Sequence, residues 1–208
     1  MAVTADPPRI AALVLAAGQS RRMGTNKLLI DLDDRPMIAC VLDAVLASRA
    51  APVLVVTGHQ NATLRTALAS RDVAFVTNPN FTQGLSSSLR AGIAALPGGI
   101  DGVVVCLGDM PAVDAAIIDA LIAAFDPTNG AEIIAPSHGG QRGNPVLWGR
   151  RFFAALMQIS GDQGGKPLLA AHPQSCRLVA VDRPGVLLDL DTPEALARYR
   201  DETTRQDR

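Results

Sequence analysis

The first apolar run of the chain ends in a loop of small residues that carries three cations. The run stops at Ala16-Ala17-Gly18, and Arg21, Arg22 and Lys27 follow closely. A continuous apolar run is typical of a buried parallel strand, and open α/β sheets bind ligands at the carboxyl edge of such strands. Backbone N–H groups of a small-residue loop can approach a polyanion, and cations supply matching charge. The loop therefore predicts a nucleotide phosphate site; the alternative is a plain turn with solvated cations.

Carboxylates follow two later apolar runs. Asp109 comes directly after the run Val103–Leu107, at the same predicted edge of the sheet. Asp189 and Asp191 stand two residues apart at the end of a predicted strand over Val186–Leu190, where alternation would put both on one face. Mg²⁺ is usually held by one or two carboxylates together with substrate phosphates. These residues predict a magnesium site, and the alternative is that each aspartate caps a turn or a helix.

Three further segments are polar and could contact a ligand. The helix predicted over Gly84–Leu96 opens with serines, which expose hydroxyl groups and backbone donors; an ordinary capped helix is the alternative. Residues Arg142–Leu147 and Gly161–Lys166 form small, polar segments that we expect to be flexible and to cover a large substrate. Loops of this composition are also common on any protein surface.

The spacing of these residues resembles one family. Residues 16–27 read AAGQSRRMGTNK, similar to the AAGxSxRMGxxK loop of the molybdenum cofactor cytidylyltransferases and their guanylyl-transferring relatives. The chain contains neither GxxxxGK[ST] nor a GxGxxG after the first strand. GDMP at 108–111 resembles the family's metal motif, NPNFTQGLSSS at 78–88 its nucleotide-pocket segment NPxxxxGxxSS, and DLDTPE at 189–194 its D-[IVL]-D-T-P-E motif. The late loops resemble RGHPVLF and GDxGAR, with Asn144 where histidine is frequent and Lys166 where arginine is frequent.

The resemblance implies roles for individual residues. It implies catalytic roles for Arg22, Lys27 and Asp109. It implies a magnesium ion on Asp109 and Asp191, with Asp189 as the alternative to Asp191. It implies contacts with the second substrate by Arg142, Asn144 and Lys166. The nucleotide-binding residues implied in this way are Leu15, Ala16, Ala17, Gly18, Ser20, Arg22, Lys27, Asn78, Gly84, Ser88 and Asp109.

The activity that the resemblance implies is transfer of CMP from CTP to molybdenum-bound molybdopterin, releasing pyrophosphate. The chain reads LAAG at 15–18, whereas guanylyl-transferring relatives usually carry LAGG, so CTP is preferred over GTP. The alternatives are a guanylyltransferase, an NADPH-dependent oxidoreductase and a carrier of finished cofactor on the same fold. Expected partners are CTP, molybdopterin-type small molecules and, transiently, a molybdenum hydroxylase, with no nucleic acid and no membrane.

Composition sets the broad class of the protein. The chain has 208 residues, of which 48% are hydrophobic and 19% charged, with a net charge of −1. These values indicate a globular α/β protein and argue against broad binding to nucleic acid or anionic membranes. Three widely spaced cysteines (Cys40, Cys106 and Cys176) show no zinc pattern, and the sequence shows no secretory signal and no membrane span. A reducing cytoplasm is therefore predicted.

The elements that position these residues alternate between strand and helix. This order predicts an α/β fold: a Rossmann-like, doubly wound, mostly parallel sheet in a single domain with a small hairpin and loop lobe late in the chain. We expect a flexible leader over 1–9, the nucleotidyltransferase domain over 10–199 and a charged tail over 200–208. The strands predicted first are Ile10–Ala16, Val53–Thr57, Val73–Thr77, Val103–Leu107 and Glu132–Ala135. The helices predicted between and after them are Pro36–Ser48, Ala62–Ala69, Gly84–Leu96, Val113–Phe125 and Pro193–Tyr199.

Overall fold

A mixed, mostly parallel sheet flanked by helices forms the body of the protein. The structure, a computed structural model, describes residues 6–20, 23–32 and 34–206. The strands are β1 Ile10–Ala16, β2 Asp31–Leu32, β3 Arg35–Pro36, β4 Val53–Thr57, β5 Ala74–Thr77, β6 Gly102–Leu107, β7 Ile133–His138, β8 Gln141–Arg142, β9 Val146–Gly149 and β10 Cys176–Ala180. The helices are α1 Met37–Leu46, α2 Asn61–Ala67, α3 Leu85–Ala94, α4 Ala115–Ala124, α5 Phe153–Leu156, α6 Lys166–Ala171 and α7 Pro193–Gln206.

Strand β1 lies in the middle of the sheet because both of its faces are apolar. Its residues are all buried, and they alternate between two hydrophobic layers. Leu13 and Leu15 pack on the side of α3 and α5, whereas Ala12 and Val14 pack on the side of α1 and α4. A strand buried on both faces reads as a continuous apolar run, and this explains why its predicted bounds are correct. Cys106 lies in the second layer, where burial raises the pKa of its thiol to about 12.

The sheet order is β10-β7-β9-β6-β1-β4-β5, with β8 paired to β7. Strands β5, β4, β1 and β6 run parallel to one another, and β10 is parallel to β7. Strand β9 is antiparallel to both of its neighbours, β6 and β7. The amino end of β9 therefore lies at the edge where the parallel strands end. This topology confirms the predicted fold class.

A smaller cluster joins the last helix to an early hairpin. Strands β2 and β3 pair with each other, and the side chains of Leu32, Met37, Leu190 and Leu196 pack between this hairpin and α7. Nearby, the Leu190 N–H donates to the Asp109 carbonyl oxygen at 3.0 Å. The segment that leads into α7 is thereby bonded to the turn that follows β6.

Several predicted elements differ in the structure. Val186–Leu190 is not a strand: Pro184–Leu187 is a 3₁₀ helix, and the Val186 carbonyl oxygen accepts from Asn144 N–H rather than from a strand. Helix α6 begins at Lys166, the last residue of the predicted flexible segment Gly161–Lys166, and α7 continues through the charged tail to Gln206. Helix α2 begins at Asn61, one residue before its predicted start, and the Asn61 side chain accepts from Thr57 and Arg65.

No helix in the described ranges is long and apolar enough to cross a membrane. The division into a leader, a domain and a tail stays a prediction.

Candidate active site

One lysine joins two carboxylates at the carboxyl edge of the sheet. The Lys27 Nζ donates to Asp109 Oδ2 at 2.5 Å and also to Asp191 Oδ1. Lys27 and Asp191 are 164 positions apart in sequence. Lys27, from the early loop, and Asp109, from the middle of the chain, therefore face the same cleft. Asp191, from a late segment, joins them there.

Hydrogen bonds near Lys27 and Asp191 hold these two members of the trio in place. Lys27 begins a short 3₁₀ helix that the Asn26 side chain caps by accepting from Leu28 N–H at 3.2 Å. The Lys27 N–H donates to Ser20 Oγ at 3.1 Å, so the small-residue loop and the lysine are bonded to each other. Asp191 is followed by Thr192, which caps α7 by accepting from Ala195 N–H at 3.2 Å. The last helix thus presents Asp191 to the lysine.

The lysine is charged despite its burial. Its side chain is 11% exposed, and the side chains of Asp109 and Asp191 are 17% and 28% exposed. Burial disfavours the ammonium form, but the charges and hydrogen bonds of the two carboxylates outweigh this effect and raise the pKa of Lys27. The two carboxylates therefore favour the ammonium form of Lys27.

The cleft around the trio has a volume of about 810 Å³. We divide it by chain position: the early half is lined from residues 15–28 and 81–89, and the late half from residues 141–148 and 162–169. Asp109, Asp189 and Asp191 also line it. A space of this volume is in the range of clefts that enclose whole small-molecule ligands.

Buried hydrogen bonds organise the early half. Asn78 is 2% exposed, and its side-chain amide donates to Ser87 Oγ at 2.9 Å and to Ser88 Oγ at 3.1 Å. The Asn80 N–H donates to Asn78 Oδ1 at 2.9 Å, so both ends of this amide are used. Because the Ser88 oxygen already accepts from Asn78, its own hydrogen is available to a ligand in the cleft.

Exposed cations and a buried aromatic ring form the late half. Arg142 and Lys166 are exposed, and within the described ranges neither side chain forms an ion pair. Trp148, on β9, lines the cleft although it is only 2% exposed. Asn144 precedes β9 and also lines the cleft. Because β9 is antiparallel to β6, it is the loop preceding β9, rather than the loop following it, that lies at the cleft.

The donor set suits a hard divalent cation that shares its ligands with a substrate. Asp109 and Asp191 converge on one point, and carboxylate oxygens are preferred ligands of Mg²⁺. No group of three or more metal-ligating side chains occurs among the residues that the structure describes. Two carboxylates without a third fit the magnesium pattern, in which water and phosphates complete the shell, better than they fit a closed protein site.

The structure brings most of the predicted site residues to this cleft. Those that line it are Leu15, Ala17, Gly18, Ser20, Lys27, Gly84, Ser88, Asp109, Arg142, Asn144, Lys166, Asp189 and Asp191. Ala16 does not: its side chain faces the core layer with α1 and α4, because alternation along β1 turns it away from the cleft. Asn78 does not line it either and acts through the serines that it bonds. Arg21 and Arg22 lie outside the described residues.

Sequence reasoning missed Phe81 and Trp148. Phe81 lines the early half and lies close to Gly58, where an added Cβ would be 2.6 Å from the Phe81 Cβ and 3.0 Å from the Ala17 Cβ. Trp148 stands at the end of the RGNPVLW segment, and its position directly after a polar loop was the available signal. Trp148 reads as an ordinary core residue at the end of the apolar run Val146–Trp148, and Phe81 is an isolated ring in a polar segment.

Comparison with known proteins identifies the class as a nucleotidyltransferase. A family model for the MobA-like NTP transferase domain matches residues 12–176, so the chain belongs to this family. Asp189 and Asp191 lie beyond the matched segment.

The relatives of this chain include proteins with different functions in their names. It is 29% identical over 196 residues to the purine catabolism protein PucB of Bacillus subtilis, covering 90% of this chain and 94% of the relative. It is 26% identical over 189 residues to the molybdenum cofactor cytidylyltransferase of Escherichia coli, covering 89% of this chain and 92% of the relative. It is 28% identical to the bifunctional protein GlmU of Sorangium cellulosum, of which it spans 39%.

The fold is similar to that of a solved mycobacterial protein. The crystal structure of Rv0371c from Mycobacterium tuberculosis superposes with a TM-score of 0.85 at 28% identity, covering 95% of this chain and all of that one. The same protein has also been solved in complex with manganese, with a TM-score of 0.80 at 26% identity, covering 93% of this chain and 98% of that one.

Proposed function

We propose that this nucleotidyltransferase transfers CMP from CTP to the terminal phosphate of a molybdopterin-type acceptor, with Mg²⁺ as the metal. The observation that supports this most is the convergence of Lys27, Asp109 and Asp191 in one cleft. A triphosphate, a divalent cation and an anionic acceptor need opposite charges close together, and this trio supplies both signs.

Asp109 and Asp191 would hold the magnesium ion. When bound, the ion supplies positive charge to the phosphate oxygens and draws the two anionic reactants together. Asp191 is preferred over Asp189 because Asp191 contacts Lys27 directly. The manganese complex of the mycobacterial relative supports a divalent cation on this fold.

Lys27 stabilises negative charge in the proposed reaction. Its ammonium moves from the two carboxylates to the triphosphate and stabilises the departing pyrophosphate. Arg22 has the same proposed role. The attacking group is a phosphate monoester that is already largely ionised at neutral pH, so no side-chain base is required. Positioning and electrostatics account for most of the rate enhancement in such a reaction.

Ala17 supports CTP as the nucleotide. Its side chain is 3% exposed and lines the early half of the cleft beside Phe81. An Ala17 methyl group narrows the space for a base, which favours the smaller pyrimidine over guanine. The Ser88 hydroxyl hydrogen is available for an acceptor atom on that base.

Arg142, Asn144 and Lys166 are the proposed contacts of the acceptor. Two cations without ion-pair partners in the described ranges, beside an aromatic ring, are suited to an anionic, planar molecule. A cytoplasmic location and transient contact with a molybdenum hydroxylase stay predictions.

Pyrophosphate release tests the proposal. The purified protein is incubated with Mg²⁺, molybdenum-bound molybdopterin and CTP, GTP or ATP in turn, and pyrophosphate is measured with a coupled assay. We expect release with CTP that requires both the acceptor and the metal. Preference for GTP would assign a guanylyltransferase instead. Oxidation of NADPH without pyrophosphate would assign a reductase, and cofactor binding without either reaction would assign a carrier.

A further inference from the structure

The late half of the cleft is attached to the helix that borders the early half. Helix α3 begins after Gly84, which has no side chain to cap it. Its first N–H group, on Leu85, donates to Asp162 Oδ1 at 3.1 Å, and the Ser86 N–H donates to the Gly161 carbonyl oxygen at 3.1 Å. The helix cap therefore comes from a loop 77 positions further along the chain.

A third bond continues this attachment along the helix. The Arg90 guanidinium donates to the Ile159 carbonyl oxygen at 2.5 Å. Of the three loop groups that bond α3, only Asp162 contributes a side chain. The segment expected to be a free flexible loop is thus bonded to α3 at consecutive positions.

The sequence around the contact leaves room for the Asp162 carboxylate. Gly84 has a φ of +95°, and a Cβ built there would be 2.2 Å from Asp162 Oδ1. Only glycine adopts this backbone conformation readily and admits the carboxylate at this distance. Gly84 and Asp162 therefore fit each other as a pair across the cleft.

The same loop packs on the aromatic ring of the late half. A Cβ on Gly165 would be 2.3 Å from Cζ2 of Trp148, so the loop backbone lies directly against the indole. Lys166 follows immediately and lines the cleft. The position of Asp162 thus determines where Gly165 and Lys166 stand relative to α3.

We propose that Asp162 is a positioning residue that aligns the acceptor side of the cleft with the nucleotide side by capping α3. It acts through Lys166 and the loop backbone rather than by contact with reacting atoms. This inference rests on the proposed function for its kinetic consequence, although the contact itself can be tested without any substrate.

The loss of an N-cap contact changes an equilibrium by a factor of about 2 to 30. For Asp162→Ala we expect the KM for the acceptor to rise about tenfold, with the KM for CTP changed less than about twofold. Asp162→Asn keeps a carbonyl oxygen for the Leu85 N–H and should restore the acceptor KM. Asp162→Gln moves that oxygen outward and should behave like Asp162→Ala. Asp72→Ala, an exposed aspartate away from the cleft, is the matched control.

Trp148 provides a readout that does not depend on catalysis. It is the only tryptophan of the chain, so its fluorescence reports on the loop that covers it. We expect acrylamide to quench Asp162→Ala and Asp162→Gln more strongly than the wild type, Asp162→Asn and Asp72→Ala. Thermal melting of each variant checks that it is folded.

The outcomes separate this inference from the proposed function. Unchanged quenching and an unchanged acceptor KM in both Asp162→Ala and Asp162→Gln would overturn the positioning role. Loss of activity in Asp162→Asn equal to that in Asp162→Ala would also overturn it, because the charge rather than the cap would then matter. If the wild type transfers no nucleotide, the quenching series still decides whether Asp162 holds the loop.

Discussion

The two halves of the cleft differ in how fully their polar groups are bonded without a ligand. In the early half, Asn78 bonds Ser87 and Ser88 through buried contacts, and Lys27 is held by two carboxylates. In the late half, Arg142 and Lys166 project outward and make no ion pair in the ranges that the structure describes. The early half is organised in advance, and the late half keeps its charges for a ligand.

This difference indicates which half should tolerate change. Removal of one group from a preorganised site carries a large free-energy cost, because the remaining groups are left buried and unpaired. Removal of one exposed cation costs only the small free energy of the contact that this cation makes with the ligand. Substitutions in the early half should therefore affect turnover, and those in the late half should affect mainly the affinity for the acceptor.

The largest effect is expected at the trio. Asp109→Asn removes one charge from the proposed metal site and leaves Lys27 with a single carboxylate, so turnover should fall by about 10²–10³-fold. Pyrophosphate release at saturating CTP and acceptor measures it. Asp72→Asn is the control. Activity of Asp109→Asn within twofold of the wild type would contradict the early half as the catalytic centre.

A smaller effect is expected on the choice of base. Ala17→Gly removes the methyl group that lines the early half, so the ratio of CTP to GTP use should fall by about tenfold, the low end for one methyl group in a pocket. Competition of the two nucleotides at limiting acceptor gives this ratio directly. A ratio unchanged from the wild type would move base selection to another residue, such as Ser88.

A comparable effect is expected on metal binding. The ammonium of Lys27 already bonds both carboxylates, so Mn²⁺ should bind the nucleotide-free protein weakly. Replacing Lys27 by Met removes that competition and should tighten Mn²⁺ binding about tenfold, since a hydrogen bond to a charged group contributes about 1.5–3 kcal/mol. Electron paramagnetic resonance of free Mn²⁺ measures the affinity. Equal affinity in both proteins would mean that the lysine and the metal do not share these carboxylates.

The smallest effect is expected in the late half. Lys166→Ala should raise the KM for the acceptor about threefold to fivefold, because an exposed cation contributes about 1 kcal/mol or less. The KM for CTP should stay the same, and Lys166→Arg should restore the acceptor KM. A change confined to the KM for CTP would reverse the assignment of the two halves.

The parts of the fold that depend on local pattern were predictable. Strands β1 and β4 have the predicted bounds because a strand buried on both faces needs a continuous apolar run, and nothing later in the chain alters that need. The meeting of Lys27 with Asp109 was also predictable, since both follow strands that end at one edge of the sheet.

Contacts between distant segments could not be read from local pattern. Val186–Leu190 has strand-like alternation, yet its backbone bonds the Asn144 loop and the Asp109 turn instead of a strand. The role of Asp162 depends on the backbone N–H of Leu85, which has no partner within the helix because α3 begins at that residue. Trp148 lines the cleft because β9 is antiparallel to its neighbours, β6 and β7. The periodicity of apolar residues in a sequence does not indicate the direction of a strand.

Helix α7 places Asp191 beside a lysine from the first strand–loop unit, and this has a consequence for synthesis on the ribosome. A nascent chain that has emerged only as far as β10 already contains the central sheet but lacks the second carboxylate. Such an intermediate can form its hydrophobic layers while the trio is incomplete. The trio, on which the proposed cation-dependent reaction relies, is therefore complete only after α7 docks on the β2–β3 hairpin.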